Sequence, residues 1–166
     1  PAARRLRITW SGAEGRGRRR STVWSGSLRV EGSAITGSEP VGFDHLGEGL
    51  RETSEHEVYW LSRTEGDHDG VEIELDGTDG VSLEFRSEPA TFQIDVNEIG
   101  ADSWRYDAGG EDRGVSISWV DPAEDDTAVD FEFTVPAAEV SPGAYFLRVM
   151  QKDCEFAWTS PYYVDL

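Results

Sequence analysis

The chain has 166 residues, with 33 acids against 15 bases for a formal net charge of −18, one cysteine, and no apolar run of membrane-spanning length. That balance opposes nucleic acid as a partner, and no membrane contact is expected; a lone cysteine excludes an intrachain disulfide and a cysteine-based zinc centre. The length suffices to bury a core, and a single domain covering residues 1–166 is expected.

Lys152 is the only lysine. Abundant acid with almost no lysine is the composition expected of a halophile's cytoplasm, where a hydrated acidic surface stays in solution at high salt. The arginines are unevenly placed: Arg4, Arg5, Arg7, Arg16, Arg18, Arg19 and Arg20 crowd the start, beside one acid, Glu14. Arg16, Arg18, Arg19 and Arg20 are the expected interdomain contact, because a planar guanidinium holds carboxylates bidentately. Their partner would be a preceding domain of the same polypeptide or the chain's own acids. The opening on Pro1 rather than Met is read as the start of a C-terminal fragment of a larger protein.

Along the chain the apolar residues alternate with polar ones. Leu6, Ile8 and Trp10 begin the pattern, followed by Leu28 and Val30, then Val58 and Trp60. Val71, Ile73 and Leu75 continue it, with Val81, Leu83 and Phe85, Phe92, Ile94 and Val96, and Val115, Ile117 and Trp119. A period of two with one face turned inward predicts strands, and the breaks between them fall at the spacing of an antiparallel sandwich. Asp69-Gly70, Asp76-Gly77 and Asp79-Gly80 are expected hairpin turns. The Gly- and Asp-rich stretch 97–113 is expected to be a long loop.

Further on, Val129, Phe131, Phe133 and Val135 predict a strand leading into a corner at Pro136. The next strand places Tyr145 near its start, as in the tyrosine corner of immunoglobulin-like sandwiches. That analogy requires the Tyr145 hydroxyl to bond to backbone upstream of it. A final hairpin is expected from Ser141–Gln151 and Phe156–Val164 about a turn holding Cys154, which is read as incidental. The fold class is all-β: an antiparallel β-sandwich, immunoglobulin- or fibronectin-like with extra strands.

Parts for catalysis are missing from the sequence. There is no G-x-S-x-G, no glycine-rich phosphate loop and no H-x-H or H-E-x-x-H pattern, so no catalytic residue and no cofactor are assigned. His45, His56 and His68 lie in acidic loop-like stretches, and Phe43 and Leu46 are expected to hold His45 in place. Asp67 and Asp69 in Asp67-His68-Asp69-Gly70 resemble the start of a calcium loop without its distal glutamate, which makes them the candidate metal ligands, for calcium alone. Asp107, Glu111 and Asp112 form a second acidic loop. Of six tryptophans, Trp10, Trp60, Trp119 and Trp158 sit in strand patterns and are expected in a core. Trp24 and Trp104 have polar neighbours and are the candidate ligand-binding residues, exposed for stacking on a sugar ring.

Three stretches carry a family resemblance: Ile8-Thr9-Trp10-Ser11-Gly12 with Arg18-Arg19-Arg20 and Val23-Trp24-Ser25-Gly26-Ser27-Leu28; Tyr145-Phe146-Leu147-Arg148-Val149-Met150-Gln151; and Ala157-Trp158-Thr159-Ser160-Pro161-Tyr162-Tyr163-Val164. Together they resemble the C-terminal β-sandwich of large proteins whose N-terminal part is a PHP-type (polymerase and histidinol phosphatase) metal-dependent hydrolase. The resemblance covers the two ends of the chain. It implies a non-catalytic accessory or interdomain sandwich of a larger metal-dependent phosphoesterase, whose metal ligands belong to the other domain. The alternative is a carbohydrate- or ligand-binding sandwich stabilised by calcium.

Overall fold

A computed structural model describes residues 4–13, 21–120, 132, 134–136, 139–150 and 156–165. Arg16, Arg18, Arg19, Arg20, Cys154 and most of the expected strand at 129–135 lie outside them. The chain forms two compact units, Pro1–Val120 and Asp121–Leu166.

The first unit contains β1 (Arg4–Ala13), β2 (Thr22–Val23), β3 (Gly26–Glu31), β4 (Ile35–Val41), β5 (Gly49–Thr53) and β6 (Glu57–Leu61). It continues with β7 (Arg63–Thr64), β8 (His68–Leu75), β9 (Ser82–Ser87), β10 (Thr91–Asp95), β11 (Trp104–Asp107) and β12 (Glu111–Trp119). Two antiparallel five-stranded sheets result, ordered β11-β12-β1-β8-β4 and β10-β9-β3-β6-β5, with β2 and β7 as a small separate pair. This is a β-sandwich, and its core is the one the alternation predicts. Leu6, Ile8, Trp10, Val71, Ile73, Leu75, Val115 and Ile117 face Leu28, Val30, Val58, Trp60, Leu83, Phe85 and Ile94, all buried in one cluster. Aromatic rings join the layers: Trp10 stacks on Trp60 at 4.5 Å and lies 5.8 Å from Phe85.

Three turn and loop expectations are overturned. Asp69-Gly70 is no turn but lies within β8, where Gly70 faces Thr9 of β1. A Cβ built on Gly70 would stand 2.4 Å from the Ile8 carbonyl oxygen, so the glycine answers a close approach of two backbones rather than a bend. Gly70→Ala must push β1 from β8, and its unfolding midpoint in denaturant is expected to fall by about 1–3 kcal/mol in stability; an unchanged midpoint would show that the strands part without cost. The stretch 97–113 likewise contains structure. Trp104 and Tyr106 alternate inward on β11 and pack on Phe92 at 5.0 and 4.8 Å. The reversal into β12 uses Gly109 and Gly110, both at positive φ (71° and 75°). Nor is the Asp76–Gly80 segment a hairpin turn, since β8 and β9 belong to different sheets and the segment crosses between them.

The second unit holds β13 (Gly143–Tyr145), β14 (Arg148–Met150), β15 (Phe156–Trp158) and β16 (Tyr162–Val164). These form the expected final hairpin, with β14 paired to β15 and β13 to β16. The register moves by one residue between the two pairs, and Leu147 and Thr159 bridge the join through a Thr159 N–H to Leu147 carbonyl bond of 3.0 Å. The Tyr145 hydroxyl donates to the Ser141 carbonyl at 2.7 Å and accepts from the Ser141 N–H at 2.9 Å, the upstream backbone bond that the corner requires.

Candidate functional site

The most unusual chemistry in the first unit surrounds Asp69. It sits opposite Trp10 in the β1–β8 register, and directly opposed residues share a face, so its carboxylate turns toward the interior with the indole. A relay of hydrogen bonds follows. Trp10 Nε1 donates to Ser62 Oγ at 2.7 Å, and Ser62 Oγ donates to Asp69 Oδ2 at 2.5 Å. Asp69 is fully buried, and its other oxygen, Oδ1, has no hydrogen-bond partner. Burial pushes its pKa up from 3.8 to about 7, against the Ser62 hydrogen bond, with the charges of Glu48, Asp67 and Asp44 adding to the rise.

Other carboxylates gather at the same short stretch of chain. Glu48 Oε1 accepts the Arg63 backbone N–H at 2.9 Å, and Asp67 Oδ1 accepts that of Glu65. Asp67 Oδ2 is buried without a partner. Ligand atoms of Asp44, His45 and Glu48 lie within 4.8 Å of one another, on the loop between β4 and β5. In that loop His45 Nδ1 meets Asp44 Oδ1 at 2.9 Å, and Glu48 Oε2 accepts the His45 backbone N–H at 3.3 Å. The loop is held through Phe43, whose ring meets Trp10 edge-on at 6.2 Å. Leu46, expected to help position His45, is instead fully exposed.

Of the sequence-assigned residues, Asp67 and Asp69 lie where a turn runs into β8 rather than in a calcium loop, and neither joins the Asp44, His45 and Glu48 group, although the charges of Glu48 and Asp44 are felt at Asp69. Sequence reasoning missed Asp44 and Glu48, whose only signal was the acid–His–acid pattern of Asp44-His45-Leu46-Gly47-Glu48. The second acidic loop is turned to backbone work: Asp107 Oδ1 caps the Gly109 N–H at 2.7 Å. A groove of about 640 Å³ lined by Ser11, Glu65, His68, Arg105 and Asp112 lies beside the start of β8.

The tryptophan assignments divide. Trp24 is not exposed but 0% accessible, with Nε1 donating to Thr64 Oγ1 at 3.1 Å and its carbonyl accepting from Trp60 Nε1 at 2.7 Å. Its polar neighbours in sequence do not decide its environment; the β2–β7 crossing folds it under, and it cannot stack on a sugar. Trp104 is half-buried against Phe92, and Trp119 is half-buried with Nε1 donating to Ile99 O at 3.2 Å. Trp158, expected in a core, is 61% exposed on the hairpin of the second unit. There it accompanies Phe146, Tyr162 (74%) and Tyr163 (78%). Successive residues of a strand point to opposite faces, so the two exposed tyrosines lie on opposite faces of β16.

Among the described residues, no helix is long and apolar enough to cross a membrane. Comparison with protein-family models, with curated proteins and with solved structures finds no match to this chain.

Proposed function

We propose that the chain is a non-catalytic accessory β-sandwich of a larger protein, and that its C-terminal hairpin docks on a preceding domain of the same polypeptide. The observation that carries this reading is the exposed run of Tyr145, Phe146, Trp158, Tyr162 and Tyr163. A two-stranded hairpin is marginal by itself, and large apolar groups exposed together mark an interaction surface. Aromatic residues are also the side chains that most often anchor such surfaces. The resemblance to sandwiches that follow PHP-type hydrolase domains names the class of partner, a metal-dependent phosphoesterase, and the bond from Tyr145 to Ser141 supports an immunoglobulin-like corner. The acidic, lysine-poor composition suits a halophile's cytoplasm. The sugar-binding alternative keeps only the half-buried Trp104 and is not favoured.

Two measurements test the proposal. With added Mn²⁺ or Zn²⁺, the chain is expected to leave p-nitrophenyl phosphate unhydrolysed; turnover above the blank would make it an enzyme. The second measurement is association with the polypeptide encoded upstream of Pro1. The double variant Trp158→Ser, Tyr163→Ser is expected to weaken it at least about tenfold, the scale of losing interface anchors. The same variant should leave the thermal midpoint of the chain unchanged. Unaltered association would refute docking through the hairpin.

A further inference from the structure

We propose that the groove beside the start of β8 binds a small zwitterion, an amino acid or short peptide, with its carboxylate on Arg105 and its ammonium on Glu65. The groove has a volume of about 640 Å³, within the size range of small-molecule sites. Its floor carries little side-chain bulk. In the register Ser11 of β1 lies between Gly114 of β12 and His68 of β8, and β1 then bulges before Ala13. Gly12 stands in the bulge at a φ of 94°, and a Cβ on it would meet the Arg113 Cα at 2.3 Å, so no side chain can occupy that place. The Gly12 carbonyl accepts the Thr64 hydroxyl at 2.9 Å, which ties the floor to β7.

The flanks carry opposite charges. The sheet order β11-β12-β1-β8 puts Arg105 to one side of β1 and Glu65, between β7 and β8, to the other. The Arg105 guanidinium lies over Gly114, where a Cβ would come within 3.1 Å of Nη2, and it donates to the Asp112 carbonyl at 3.2 Å. Asp112 holds that carbonyl with its backbone in the left-handed region, at a φ of 56°, alone among the described non-glycine residues. Among the described residues no ion pair engages Arg105 or Glu65, on a chain where 33 acids face 15 bases. The guanidinium therefore keeps a planar fork of donors for a carboxylate, and the Glu65 carboxylate keeps its acceptors.

The two flanks select the ligand together. A simple anion reaching Arg105 meets Glu65 and Asp112 on a chain of net charge −18, and a simple cation meets Arg105. A molecule with one charge of each sign satisfies both flanks, and the Ser11 hydroxyl lies on the floor between them. A sugar is disfavoured, because among the described residues no aromatic ring lines the groove to stack on it. The site belongs to the first unit, so it stands whether or not the hairpin docks on a partner.

NMR titration of the isotope-labelled 166-residue chain with triglycine, at constant pH and ionic strength, tests it. Saturable shifts are expected at the amides of Gly12, Gly66 and Arg105, with a Kd of roughly 1 mM, the level of a few polar contacts. N-acetyl-triglycine and triglycine amide each keep one of the two charges, and each should bind at least about tenfold more weakly. Arg105→Ala should weaken triglycine by a similar factor and abolish the preference for triglycine over its amide, and Glu65→Gln the preference over the acetylated form. Both residues are exposed, so the variants report on binding rather than folding. Arg63→Ala, exposed on β7 and outside the groove, should bind as the parent does. No saturable shift up to about 50 mM triglycine would overturn the proposal. So would equal binding of the three peptides, or an equal loss in Arg63→Ala, which would reveal attraction to the surface at large.

Discussion

Trp10→Ala is expected to lower stability by about 4 kcal/mol, the range for deleting a large buried aromatic, and the thermal midpoint by roughly 15 °C. The indole is wholly buried and touches both layers: it stacks on Trp60, lies near Phe85, and receives the Phe43 ring at its edge. Its N–H is bonded to Ser62, so truncation also removes a buried hydrogen bond. A single domain holds only about 5–15 kcal/mol in all, so this change consumes a large part of it. Trp10→Phe separates the two contributions. It keeps an aromatic between Trp60 and Phe85 but not the donor, and should cost only about 1–2 kcal/mol beyond its volume change. Near-UV circular dichroism followed during heating reads both, and a Trp10→Ala midpoint within a few degrees of the parent would show that the aromatic stack does not hold the sheets together.

Stability should fall as pH rises from about 4 to about 7 and then level off, as far as Asp69 is concerned. The sign follows from the shift. Asp69 titrates near 3.8 in the unfolded chain and near 7 in the fold, so between those values the folded state holds the extra proton. The stability gained by protonation is complete below the lower value and lost as pH passes the upper one. The linkage is on the order of 2–4 kcal/mol, its upper end being the full shift and its lower end allowing for relaxation around the buried carboxyl. Groups facing Asp69 are Ser62, which lowers its pKa, and Glu48, Asp67 and Asp44, which raise it. Asp69→Asn keeps an acceptor for the Ser62 hydroxyl and has no proton to lose. The difference between its stability and that of the parent should therefore be small near pH 4 and reach its full value above pH 7. A difference that does not change with pH would mean that Asp69 is ionised in the fold throughout.

The sandwich was legible where burial follows a local rule. Residues such as Leu6, Ile8 and Trp10, or Val71, Ile73 and Leu75, reveal their facing by spacing alone, because a strand turns alternate side chains to opposite sides. Trp24 was misread because its burial depends on Thr64 and Ser62, some forty residues away, and not on the serines beside it. Asp69-Gly70 was misread for a related reason. The dipeptide that makes a turn also fits where a neighbouring backbone passes too close for a Cβ, and only the pairing of β8 with β1 distinguishes the two. The surroundings of Asp69 were half visible: Asp67 and Asp69 share a recognisable spacing, whereas Asp44 and Glu48, whose charges act on Asp69, belong to a loop about twenty residues upstream that Phe43 holds against Trp10.

Among the described residues β4 is an edge strand, and it contains Pro40 opposite Val71 of β8. A proline has no N–H to offer, and an edge strand is the place where a sheet tolerates it. A second molecule adding itself along β4 would find a residue without an N–H near the strand's C-terminal end, beside the acid Glu39 and on a molecule of strongly negative charge. Sheet-to-sheet pairing between chains is disfavoured along that edge, where the proline and the negative charge act together.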